Sequence, residues 1–184
     1  MALSLVKGQK ISLAKESGGG LSQVIMGLGW DPVAEGEEID LDASCTLFNE
    51  NKQVVDFVSF QSLTSKDGAI THTGDNLTGE GEGDDEQIVV NLAEVSANVK
   101  YLVFTVNSYS GQSFDNVDNA FCRLVDSGSG KEIARYTLTE GGPNTAMIMA
   151  KLYRHQGEWK MHALGEPTDG YVVEELVPDM LKIL

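Results

Sequence analysis

The stretch Asp40–Phe48, "DLDASCTLF", alternates with a period of two: Leu41, Ala43, Cys45 and Leu47 fall on one side of an extended chain, and Asp40, Asp42, Ser44 and Thr46 on the other. Such alternation marks a β-strand with one face in a core and the other, carrying two carboxylates, toward solvent. Working outward, "SLVKGQKISLAK", "QVIMGLGW", "QVVDFVSF", "EQIVVNL", "KYLVFTVNSY", "AFCRLVD", "KEIARYTL", "TAMIMAKLYRHQ" and "EWKMHALG" are similar short apolar or alternating runs, separated by Gly, Asn, Asp or Ser clusters. "SGSGKE" and "HQGEW" read as hairpin turns. The pattern predicts an all-β protein, a β-sandwich of two mainly antiparallel sheets with at most short helices, built as a single domain over residues 1–184. The last stretch, Tyr171–Leu184, is expected to add one short helix that Pro178 breaks or begins.

Composition narrows the function. With 28 Asp plus Glu against 13 Lys plus Arg, the chain carries a formal charge of -15, which repels nucleic acid and anionic membrane surfaces and favours cations as small partners. Lys7 and Lys10 stand where a signal peptide would need an apolar run, and no segment stays apolar long enough for a helical membrane span, so a cytoplasmic protein without membrane insertion is expected. Cys45 and Cys122 lie in strand-like runs and read as buried reduced thiols. His72, His155 and His162 are the only histidines, and none adjoins a serine or cysteine in a nucleophile motif, so the chain is not read as an enzyme. Trp30 and Trp159 read as packing residues.

The segment Gly74–Glu86, "GDNLTGEGEGDDE", holds six acidic residues and four glycines with no basic residue among them. Self-repulsion and glycine entropy oppose its ordering, so it is either a solvated acidic loop or a loop ordered by a cation. Three features favour the cation. Carboxylates, amides and glycine-exposed carbonyls are the oxygen donors that calcium takes in sets of six to eight. Strand-like runs tie the segment at both ends. Soft-metal ligands are missing apart from nearby His72, which disfavours zinc and copper. The spacing departs from the EF-hand loop, because Leu77 and Gly79 occupy two ligand positions and Glu80 replaces the required glycine.

"GDNLTGEGEGDDE", with "SLVKGQKISLAKE" near the start, "GLGWD" at Gly27–Asp31 and "DLDAS" at Asp40–Ser44, resembles the TerD family of tellurium-resistance and stress-response proteins. The resemblance implies a cytoplasmic β-sandwich that binds calcium, usually two ions close together, and works with other tellurium-resistance proteins; without a catalytic motif, the chain is read as a non-catalytic regulator or adaptor in a stress response. It maps the metal site onto Asp75, Asn76, Gly83, Asp84, Asp85 and Glu86, with Asp31, Asp42 and Asp40 as second contributors. Each has a plainer reading: Asp31 as a turn residue before Pro32, Asp40 and Asp42 as a solvated strand face, Asp56 as an edge-strand carboxylate, Asp67 as a turn residue before Gly68. "NSYSGQSFDNVDN", Asn107–Asn119, offers further oxygen donors near the same pole but reads first as a connecting loop. The alternative function is a small-ligand module in which bound metal contacts a cyclic nucleotide.

Overall fold

The computed structural model describes residues 2–32, 39–74, 83–138 and 142–184. Asp75 and Asn76 of the acidic segment therefore lie outside the described residues. Twelve strands run in chain order among the described residues: β1 Leu3–Leu5, β2 Lys10–Ser12, β3 Gln23–Pro32, β4 Leu41–Asn49, β5 Val54–Val58, β6 Ile70–His72, β7 Glu86–Asn91, β8 Val99–Ser108, β9 Val117–Asp126, β10 Glu132–Thr137, β11 Ala146–His155 and β12 Glu158–Thr168. They form two six-stranded sheets, β1-β10-β9-β3-β7-β6 and β2-β12-β11-β8-β4-β5. Every ladder is antiparallel except that of β1 with β10. The expected all-β sandwich is the observed architecture.

Alternation builds the core. Val24, Met26, Leu28 and Trp30 of β3, Ile88 and Val90 of β7, and Cys122 and Leu124 of β9 point inward from the first sheet. They meet Leu41, Ala43, Cys45 and Leu47 of β4 and Leu102, Phe104 and Val106 of β8. Both cysteines are free and buried; burial pushes the Cys45 thiol up, and the Cys122 thiol up to about 12, so both stay protonated near neutral pH. Trp30 is 3% exposed and its indole N–H donates to the Ile39 carbonyl at 3.2 Å.

The expected solvent face of β4 is not solvated. Asp42, Ser44, Thr46 and Phe48 are all buried, because the chain after β12 folds back over this face of the second sheet. There Val173, Leu176 and Met180 pack on Phe48, Val103, Ala146, Ile148 and Leu164, a second apolar cluster. This covering segment comprises a 3-10 turn at Val173–Leu176, α1 at Val177–Met180 and a 3-10 turn at Leu181–Ile183; Pro178 lies in the first turn of α1, where a missing N–H costs nothing.

One local reading is corrected and two are as expected. "SLVKGQKISLAK" is not one strand: a turn closed by the Gln9 amide on the Val6 carbonyl splits it into β1 and β2, which join different sheets, and Leu13–Ser17 is a short helix. Asp56 lies on β5, an edge strand of the second sheet, where its carboxylate accepts the Phe57 and Lys66 amide N–H groups. Asp67 closes the expected turn before Gly68, accepting from the Ser65 hydroxyl at 2.6 Å and the Ala69 amide at 3.0 Å. No helix among the described residues is long and apolar enough to cross a membrane.

Candidate metal-binding pole

At one end of the sandwich the ladders stop at different heights, and the acidic residues occupy the vacated positions. The β3–β7 pairing ends with Leu28 opposite Glu86, and the Asp85 amide adds one more bond to the Leu28 carbonyl at 2.9 Å. Beyond that point no strand among the described residues lies beside the Trp30 N–H on the β7 side; the Asp85 carboxylate accepts this N–H at 2.8 Å. Similarly, Ala43 lies beyond the first β4–β5 pair, Cys45 with Val58, and its N–H donates at 2.7 Å to Glu86 Oε2. Glu86 thus reaches from one sheet to the other. It is 1% exposed, and the same oxygen lies 3.0 Å from Nε2 of His72, itself buried on β6.

Asp84 is held differently. Its Oδ1 lies 2.6 Å from Arg123 Nε and its Oδ2 3.0 Å from Arg123 Nη2, a two-pronged ion pair, while Gln87 Nε2 donates to Oδ2 at 2.9 Å. Gln87, Gly27 and Arg123 stand side by side across β7, β3 and β9. The carboxylate lies directly over Gly27: a Cβ there would sit 2.2 Å from Oδ2. Two residues on, the Phe121 ring and the Gly83 carbonyl close over Gly29 in the same way, at 2.4 and 2.8 Å from where its Cβ would be. The two glycines of "GLGW" therefore leave a trough in the outer surface of β3 into which Asp84 and Phe121 fit.

Asp31 follows on β3, exposed, opposite Asp118 of β9. One extra residue on β9 between these pairings makes a bulge, and within it Asn119 adopts a left-handed φ of 53° and donates from Nδ2 to Asp31 Oδ2 at 2.9 Å. The 107–119 stretch is thus more than a connection: its last residues are strand β9 and lie against Asp31. The pole is electrostatically crowded. Burial, and then the charges of Asp31, Asp84 and Glu86, push the Asp85 carboxyl up, against the lowering effect of its bond from the Trp30 amide.

Gly83, Asp84, Asp85, Glu86 and Asp31 are accordingly brought to one pole, though with different partners. Asp42 is the second residue of β4, beside the Ala43 anchor and paired with Asn107 of β8 on the buried outer face, and Asp40 immediately precedes β4. Among the described residues no group of three or more His, Cys, Asp or Glu side chains is arranged to hold a metal. Arg123 and Gln87 carry no motif that marks them in the sequence, whereas Asn119 closes the oxygen-rich stretch Asn107–Asn119. Arg123 left one trace there, as a basic residue within the otherwise uncharged strand run "AFCRLV".

An all-β sandwich with an acidic pole at one end is the class of protein these features define. The TerD domain matches residues 1–179, and the chain belongs to the TerD family. It is 49% identical over 189 residues to the tellurium resistance protein TerZ of Serratia marcescens, an alignment covering 97% of each chain. It is 42% identical to the stress response protein SCP2 of Bacillus subtilis, covering 96% of this chain and 98% of that one. The crystal structure of a homologue of telluride resistance protein (TerD) from Streptomyces coelicolor superposes with a TM-score of 0.74 at 22% identity over 88% of this chain and 98% of the other, a likeness of fold.

Proposed function

We propose that this member of the tellurium-resistance and stress-response family is a cytoplasmic calcium-binding protein that acts as a non-catalytic regulator or adaptor alongside other tellurium-resistance proteins. The observation that carries the reading is the meeting of like charges at the pole: Asp31 stands opposite Asp118, and Asp85 is pushed up by its burial and by Asp31, Asp84 and Glu86. Like charges directly opposite one another in a sheet destabilise it, and a divalent cation removes that cost. The donors fit a hard cation, being carboxylates together with the Gly83 carbonyl and the amide oxygen of Asn119. Asp31, Asp85 and Glu86 are the described side chains we assign to the site. Asp75 and Asn76 are proposed to complete it, and the number of ions proposed is two. Calcium would supply fixed positive charge that holds the segment in one shape, giving the partner proteins a defined surface.

The test is a thermal melt in EGTA, in magnesium and in calcium. At free calcium a hundredfold above the dissociation constant, one site adds about 2.7 kcal/mol. For a domain of this size that raises Tm by roughly 5–10 °C. Asp85→Asn is expected to lose most of the rise. A wild-type melt unchanged by calcium overturns the reading.

A further inference from the structure

We propose that Asp84, although it belongs to the acidic segment, is a clamp and not a ligand, and that Arg123 is the positioning residue of the cation site. The proposal deepens the calcium reading and rests on it for its link to metal. Three observations carry it. The Asp84 side chain is 0% exposed while both its oxygens are engaged by Arg123 and Gln87 from two different strands. A carboxylate gripped at both oxygens by a guanidinium has its charge already compensated, whereas ligation would require it to leave that partner. The place it occupies is also built for it: Gly27 removes the one Cβ that would fill the position.

Arg123 is in turn braced. Glu132 Oε2 accepts from Arg123 Nη1 at 3.2 Å and also from Arg135 Nη2 at 3.0 Å, and the Arg135 guanidinium lies 4.3 Å over the Phe121 ring that closes above Gly29. The outer face of β3, β9 and β10 thus carries a supported lock on the residue immediately before Asp85. Locking Asp84 fixes where the Asp85 amide meets Leu28 and where its carboxylate meets Trp30. It also fixes the Gly83 carbonyl. Such a residue acts on a metal through the ligands it orients, and removing one of this kind typically weakens metal affinity by about 10–100-fold without removing a coordination position.

The experiment is calcium titration calorimetry on the full chain, starting from EGTA-stripped protein, with hydrogen exchange of the Asp85 amide followed in EGTA. The expected result is that Arg123→Lys and Asp84→Asn each weaken calcium binding by at least tenfold with the number of ions unchanged. The double variant is expected to be no weaker than the weaker single one, because the two residues act as one unit. Both single variants should speed exchange at Asp85, and Glu132→Gln, which leaves the Asp84 pair intact, should have a smaller effect on both readouts. Loss of an ion in Asp84→Asn, or additive losses in the double variant, would show Asp84 to be a ligand and overturn the proposal. So would Arg123→Lys with wild-type calcium affinity and exchange. Absence of calcium heat in the wild-type protein would instead overturn the calcium reading, and with it the proposed role toward metal, whatever the exchange measurement gives.

Discussion

Glu86 illustrates how a single side chain can join the two sheets. Its carboxylate satisfies the Ala43 N–H, which lies past the end of the β5 ladder, and meets His72 in a pair whose two side chains are each 0% exposed. Truncation at such a site leaves a buried N–H and a buried imidazole without their acceptor. Glu86→Ala is expected to destabilise the protein in EGTA by about 1–3 kcal/mol for each buried group left without its acceptor. Glu86→Gln keeps an acceptor for Ala43 and should cost less; equal losses for the two variants in urea denaturation would argue against the inter-sheet role. In sequence, the acidity of Glu86 pointed toward metal. Its place as the first inward residue of β7, alternating with Ile88 and Val90, pointed equally toward the core, and the run "EQIVVNL" contained that signal.

At the scale of elements, the segment after β12 determines what the outer face of the second sheet becomes. Lys151, at the middle of β11, lies beneath it, 8% exposed, donating to the Ile183 carbonyl with the Tyr101 and Tyr153 rings 5.8 and 5.6 Å away. Burial, together with the charges of Lys10 and Lys52, pulls its pKa down to about 8. The folded state therefore releases this proton near pH 8, while an unfolded chain holds it to about 10.4. Between those values the unfolded state binds more protons, so the contribution of Lys151 to stability rises with pH. Urea denaturation between pH 7 and pH 10 is expected to show a rise that is missing in Lys151→Met; parallel profiles for the two proteins would contradict it. The longer strands were legible because their alternation runs over five or more residues. β6 was not: three residues, Ile70–His72, are too few to establish a period. Nor could the burial of Asp42, Ser44 and Thr46 be read, since alternation says which way a side chain points and not what later covers it.

For the whole molecule, the charge of -15 predicts a native state working against its own field. In EGTA, raising sodium chloride from 10 to 300 mM is expected to raise Tm by screening this repulsion, and saturating calcium should make the rise smaller. A Tm that falls or stays level with salt would show that the acidic residues are locally compensated, as Asp84 is by Arg123. The two-sheet architecture and the identity of the acidic segment belonged to the sequence, because hydrophobic period and clustered charge are local properties that neighbouring residues express on their own. The division of that segment into residues with separate tasks was decided by tertiary structure. Asp84 meets Arg123 across 39 positions of chain, Asp85 meets Trp30 across 55, and Glu86 meets Ala43 across 43. A carboxylate's role depends on the donor opposite it, and that donor is supplied by the ladder endings and register of strands remote in sequence.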